Sequence, residues 1–152
     1  MQMIAVASDH GGLPLKQAIC QLLTRRGIDF TDFGVVDESS VDYPDYAIKV
    51  AEAVAAGQSE RGILICGTGI GMSIAANKVK GIRAALVHDD FTARMAKEHN
   101  NANILVMGGR ILDVSTGTRL VEIWLDGLFE GGRHQGRLDK ISQIECRPCG
   151  DA

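Results

Sequence analysis

Hydrophobic and polar positions alternate in blocks along the chain. Five short apolar runs, MIAVAS (3–8), IDFTDFG (28–34), GILIC (62–66), IRAALVH (82–88) and NILVMGG (103–109), are separated by segments of helical length. Strand-length runs alternating with helices predict βαβ units and a parallel sheet. Three of the runs are apolar almost throughout, as expected for strands covered by helices on both faces. Between them, Pro14 suits a first helical turn, Leu15, Ala18, Ile19, Leu22 and Leu23 share one face, and Gly27 is a natural stop. YPDYAIKVAEAVAAG (43–57) repeats the proline start and glycine end. A third helix is predicted over about 115–129, from Ser115, carrying Leu120, Ile123, Trp124 and Leu128. The segment from Glu130 onward shows no sixth strand and no clean core pattern. It reads as a tail, about 131–152, that packs on another subunit.

In open α/β sheets ligands bind beyond the carboxyl ends of the strands. The residues there are Ser8 to Gly12, Cys66 to Gly71, His88 to Asp90 and Gly108 to Arg110, and they are expected to converge on one rim. Glycines at 67, 69 and 71 can turn several backbone N–H groups toward one point, and the helix predicted after them adds its positive end. Such a nest holds an anion, either a phosphate or an oxyanion formed during a reaction. A dinucleotide loop is a competing reading, because Asp89 and Asp90 follow about 20 residues on, where a ribose-binding acid would sit. Against it, the spacing is G-x-G-x-G, the loop follows the third strand, and the chain leaves no room for a substrate domain. The G-x-x-x-x-G-K-[ST] loop of nucleotide hydrolases has no match.

Composition narrows the picture. With 152 residues, 45% of them hydrophobic, the chain suits one domain over 1–152. A net charge of −3, with both signs spread along the chain, argues against a nucleic-acid or polyanion surface. The start, MQMIAVASDHGG, lacks a leader pattern, and no run approaches the ~18 apolar residues of a membrane span. The four cysteines imply no disulfide framework, and a soluble, cytoplasmic protein is expected. Cys146 and Cys149 have C-x-x-C spacing but lack the second ligand pair of a zinc site and the strand-to-helix turn of a redox motif. The four histidines show no metal-ligand spacing such as H-E-x-x-H, so no metal is expected.

Cys66 ends a strand beside the glycine nest. A buried core cysteine is the bland alternative, but the rim position favours chemistry. A thiolate there suits nucleophilic attack on a carbonyl, or removal of a proton α to one while the nest holds the enolate oxygen. Arg133 and Arg137 would share one face if their stretch is helical, with His134 beside them and Arg110 on the strand rim. They form either a phosphate site or a solvated basic face.

ASDHGG, VDYPDYA, GILICGTGIGMSIAANK, GIRAA, HNNANIL and EGGRHQGR occur in that order over nearly the whole chain. This set resembles the type B ribose-5-phosphate isomerases and the related galactose-6-phosphate isomerase subunits. The resemblance implies a Rossmann-like α/β/α sandwich with a five-stranded parallel sheet. It also implies aldose–ketose interconversion through a cis-enediolate, without metal or organic cofactor. Cys66 matches the base that moves the proton between C1 and C2, with Thr68 beside it, and Gly67, Gly69, Ile70 and Gly71 the positions that hold the enediolate oxygens. His99 matches the ring-opening acid/base and Asn100 its neighbouring substrate contact. Asp9 and His10 match sugar-binding positions, and Tyr43 lines the pocket. Arg110, Arg133 and Arg137 match substrate and anion positions, the last two as a phosphate clamp with His134 beside them.

The partners so implied are a small-molecule sugar phosphate and a second copy of the chain, in a homodimer or a dimer of dimers. His99 and Asn100 would then face Cys66 of the partner subunit, and a lone monomer would be inactive. Ribose 5-phosphate is the expected substrate, with allose 6-phosphate, galactose 6-phosphate and erythrose 4-phosphate as alternatives. A non-catalytic sugar-phosphate-binding module is the rival class. Such a module needs the nest and the arginines but no base, so Cys66, Thr68 and His99 argue against it.

Overall fold

The computed structural model describes residues 3–148. The chain runs β1 (Met3–Ser8), a single 3-10 turn (His10–Gly12), α1 (Leu13–Arg25), β2 (Asp29–Asp32), α2 (Tyr43–Ala55), β3 (Arg61–Cys66), α3 (Ile70–Ala76), β4 (Ala84–Leu86), α4 (Asp90–Glu98), β5 (Ile104–Gly108), α5 (Val114–Asp126) and α6 (Arg133–Glu145). The five strands form one sheet in the order β2-β1-β3-β5-β4, and every neighbouring pair is parallel. This is the Rossmann-like α/β/α sandwich that the resemblance implied.

Alternation along the strands decides the layers. Ile4, Val6, Ile63, Ile65, Leu105 and Met107 face α1, α4 and α5, whereas Ala5, Ala7, Leu64, Cys66, Ile104 and Val106 face α2 and α3. Small side chains on the second side let α2 approach the sheet closely: a Cβ on Gly62 would sit 2.6 Å from Val50 Cγ1. On the first side, Trp124 of α5 is fully buried and donates from Nε1 to the Ala102 carbonyl (3.1 Å), so its polar edge is paired.

The elements depart from the sequence reading at their ends. The second and fourth strands shrink to 29–32 and 84–86, because they lie at the two edges and pair on one side only. The helix expected over 115–129 spans 114–126 instead. Asp113 caps its start by accepting from Thr116 N (2.7 Å), and Gly127 leaves the helix in an extended conformation. Leu128 is therefore 81% exposed rather than part of the buried face. The segment read as a tail contains α6, with His134 and Leu138 buried and Glu145 accepting from Gly81 N at 3.1 Å through both carboxylate oxygens. Of the C-x-x-C pair, Cys146 is exposed and Cys149 lies outside the described residues. No helix among the described residues is long and apolar enough to cross a membrane.

Lys16 has no counterpart in the hydrophobic pattern. It is 2% exposed, and its ammonium donates to both oxygens of Asp32 (2.7 and 2.6 Å) and to the Val35 carbonyl (2.7 Å). These bonds tie α1 to the end of β2. Asp32→Asn removes the countercharge from a buried ammonium and is expected to destabilise the fold by about 3 kcal/mol, read as a lower urea midpoint.

Candidate active site

The chain leaves β1 toward one edge of the sheet and β3 toward the other, so the loops after these adjacent strands open a crevice. Cys66 is the last residue of β3 and is 4% exposed. Its Sγ accepts a hydrogen bond from Gly69 N at 3.1 Å, which aims the thiol into the glycine loop. Gly69 has φ +81° and caps α3, and a Cβ there would meet Leu86 Cδ1 at 2.5 Å and the Met107 carbonyl carbon at 2.9 Å. Only glycine satisfies both constraints. Ile70 N donates to Thr68 Oγ1 (3.3 Å), while the amides of Gly71 and Met72 have no acceptor among the described residues. The loop thus offers free N–H groups beside the thiol, the requirement for holding an oxyanion.

The remaining rim residues gather around this loop. Asp9 is buried, and its Oδ1 accepts from Gly11 N (2.9 Å). His10 Nδ1 accepts from Val41 N (3.3 Å), which leaves Nε2–H as the donor available to a ligand. Tyr43, at the start of α2, lays its ring over Gly71, where a Cβ would clash at 2.4 Å. Arg110 follows β5 and places Nη1 against Gly67, 3.2 Å from a Cβ built there. Asp9, His10, Tyr43, Cys66, Gly67, Thr68, Gly69, Ile70, Gly71 and Arg110 therefore gather at the carboxyl end of the sheet.

The loop after β4 does not join them in the way a dinucleotide site requires. Asp89 accepts from Thr92 N (2.7 Å) in a capping box on α4, and Asp90 pairs with Arg119 (2.9 Å). Both acids are engaged in helix ends, so neither is placed as a ribose ligand.

A second cluster lies at the other pole. α4 descends antiparallel to the strands, and His99 caps its carboxyl end beside Arg83 and Asn103, which precede β4 and β5. Arg83 Nε donates to the carbonyls of Asn100 (3.3 Å) and Asn101 (3.1 Å). His99 stacks on His134, with ring centroids 4.1 Å apart. Arg133 and Arg137 lie on the same helix as His134, both exposed and with no ion pair among the described residues. Burial, reinforced by the charges of His99 and Arg133, holds the His134 imidazole below its usual pKa despite Glu130. His99 and Asn100 at the end of α4, and His134 stacked on His99, lie at the opposite pole from Cys66 of their own chain, a strand's length away (~17–20 Å), with Arg133 and Arg137 on the same helix as His134. The structure therefore divides the predicted set in two.

Glu130, which contacts both His99 and His134, was not singled out from the sequence. It precedes His134 by four residues, but Gly131 and Gly132, at φ +66° and +54°, intervene outside the helix. No helical spacing signals the contact.

The crevice and the topology define a class: a Rossmann-like domain that presents a thiol and a backbone anion nest at the carboxyl edge of its sheet. Residues 4–141 match the Ribose/Galactose Isomerase family. The chain is 44% identical over 147 residues to ribose-5-phosphate isomerase B of Escherichia coli, covering 97% of this chain and 99% of that one. It is 40% identical over 147 residues to D-erythrulose-4-phosphate isomerase of Pectobacterium atrosepticum, with 95% and 96% covered. The structure of Clostridium thermocellum ribose-5-phosphate isomerase B superimposes with a TM-score of 0.94 at 51% identity, covering 95% of this chain and 98% of that one. The chain belongs to the Ribose/Galactose Isomerase family and is an enzyme of the sugar-phosphate isomerase class.

Gly69→Ala tests the loop. It removes the conformation that carries the N–H to Cys66 and is expected to lower kcat roughly 10²-fold, the cost of one misplaced oxyanion donor. Circular dichroism should show the sheet intact.

Proposed function

We propose that this enzyme interconverts ribose 5-phosphate and ribulose 5-phosphate. The observation that carries the reading is the Cys66 thiol, held by the Gly69 amide in the same glycine loop whose Gly71 and Met72 amides have no acceptor among the described residues. Ring opening delivers an aldehyde at C1. Cys66, as thiolate, takes the proton from C2, and the electron pair moves to make a cis-enediolate whose oxygens lie in the nest of Gly67, Gly69, Ile70 and Gly71. The proton returns from Cys66 to C1, and the O2 proton moves to O1, which leaves the ketone at C2. Thr68, at the mouth of the loop, contacts the enediolate hydroxyls. Asp9 and His10 bind the sugar, Tyr43 closes one wall, and Arg110 neutralises charge at the rim.

The active unit in this reading is a homodimer. His99 is the acid/base that opens the sugar ring, yet its own chain places it at the pole remote from Cys66. A two-fold partner supplies what one chain lacks, bringing His99 and Asn100 to Cys66 of the partner subunit. Arg133 and Arg137, with His134, then clamp the phosphate. The uncovered apolar side chains fit such an interface: Ile70, Ile74, Phe91 and Ile111 are each more than half exposed. The segment about 131–152 contributes to the same contact through Ile141 and Ile144 of α6. Free thiols at Cys20, Cys66 and Cys146 suit the reducing cytoplasm.

Substrate length is the open variable, because relatives of nearly equal identity carry names of five- and four-carbon phosphates. The deciding assay compares kcat/KM for ribose 5-phosphate, allose 6-phosphate, galactose 6-phosphate and erythrose 4-phosphate with a chelator present. The largest ratio is expected for ribose 5-phosphate; a larger value for another sugar replaces the substrate, and binding without turnover of any returns the chain to the binding-module class.

Two variant experiments probe the chemistry and the shared site. Cys66→Ala is expected to lose at least ~10³-fold in kcat while retaining sugar-phosphate binding by calorimetry, since only the base is removed. Cys66→Ala and His99→Asn chains, each inactive alone, are expected to recover about a quarter of wild-type activity on equal mixing and reassembly. Half of the dimers then hold one intact site of two. No recovery in verified mixed dimers refutes the shared site.

A further inference from the structure

The contact among His99, Glu130 and His134 has a geometry that an ion pair alone does not require. The two imidazoles stack with their planes 17° from parallel. Glu130 Oε2 lies 3.3 Å from His134 Nε2 and 3.8 Å from His99 Nε2. One ligand atom from each of the three residues falls within 4.8 Å of the others. Tetrahedral metal sites with bonds of about 2.0–2.2 Å place neighbouring donor atoms about 3.3–3.6 Å apart. The His134–Glu130 edge already has that spacing. The longer edges close by a tilt of His99, whose side chain is 35% exposed and makes no hydrogen bond within 3.5 Å among the described residues.

Two imidazoles and a carboxylate are a donor set for zinc, cobalt or nickel, and three protein ligands leave one position open. The set is invisible in the sequence, because the two positive-φ glycines fold Glu130 back onto the first turn of α6.

We propose that His99, Glu130 and His134 form a binding site for a divalent transition metal such as zinc, and that its occupancy suppresses isomerisation by engaging the imidazole of His99. The suppressive part rests on the reading of His99 as the ring-opening group; the site itself does not. Binding makes bonds from the metal to two imidazole nitrogens and one carboxylate oxygen, displacing water from the metal and any proton from the ligating nitrogens. Chelation reverses it.

Cobalt(II) is the probe of choice, because its spectrum separates nitrogen and oxygen ligands from the thiols of Cys66 and Cys146. Chelator-stripped protein titrated with cobalt(II) should develop d–d bands that saturate at one metal per chain, without thiolate charge transfer. In Glu130→Gln the titration should move to at least about tenfold higher cobalt, since loss of even an outer partner of a metal ligand costs about that much. Zinc should displace the cobalt and stop turnover over the same concentration range, with activity restored by chelator. With its own metal-free turnover as the reference, Glu130→Gln should need at least about tenfold more zinc for the same fractional loss of activity. Thiolate bands, no saturable bands, or an unchanged titration in Glu130→Gln would overturn the site. Zinc that displaces cobalt while turnover continues would overturn the coupling to His99. Stripped protein that turns over no sugar phosphate would overturn the isomerase reading instead, with the cobalt spectra still deciding the metal site.

Discussion

The loops after β1, β3 and β5 meet backbone against backbone, with no side chain between them, and the crevice depends on that contact. A Cβ on Gly109 would lie 2.6 Å from the Gly11 carbonyl oxygen, and one on Gly108 would lie 2.8 Å from the backbone of Thr68. Gly109 N donates to the Cys66 carbonyl at 2.7 Å and Arg110 N to the Gly67 carbonyl at 3.0 Å, so β5 grips the strand end that carries the thiol. A site of this kind works by prior positioning, since donors that must reorganise during reaction lose most of their effect. Glycine at the rim therefore sets a distance between three strands before it offers anything to a ligand.

Direction within the sheet has a second consequence. With all strands parallel and α4 antiparallel to them, a residue at a strand's carboxyl end and a residue at that helix's carboxyl end must occupy opposite poles. Cys66 is of the first kind and His99 of the second. No loop movement of ordinary size spans roughly the length of a strand, so within one chain the two cannot act on one sugar. The proposed dimer follows from this topology rather than from any feature of the surface, and the apolar side chains around the rim are its complement.

The fold was legible because a parallel sheet under two helical layers leaves a strong periodic trace: the apolar runs at 3–8, 62–66 and 103–109 are the three central strands almost residue for residue. The edge strands blurred, since Asp29 to Asp32 carry only the weak pattern of a one-sided strand. Lys16 broke the pattern outright, because its burial is stabilised by Asp32 and a carbonyl 19 residues away in sequence. The rim was legible through its glycines, whose spacing reflects local backbone geometry. The second cluster was not, except through resemblance: His99 meets His134 across 35 positions, brought there by a turn at two glycines and a helix with little amphipathic signal. Two thiols make the same point. Cys20 and Cys66 look alike in a sequence, yet burial and the nearby Asp32 push Cys20 up to about 11, leaving it a protonated packing residue, whereas Cys66 has an amide aimed at its sulfur.

A division of labour between poles also bears on how a substrate would be measured. The nest recognises the carbon atoms where the proton moves, and these are the same in a four-, five- or six-carbon sugar phosphate. The phosphate lies at the other end of the molecule, and its distance from C1 grows with each carbon. In the proposed homodimer the nest and the cations of Arg133 and Arg137 come from different subunits. The length of sugar that fits is then fixed by the separation of two chains across an interface, not by any side chain of the nest. Repacking Ile74 or Phe91 would shift that separation without touching a group that contacts substrate. In such a dimer, specificity for the length of the sugar has to be sought in the interface rather than in the motif.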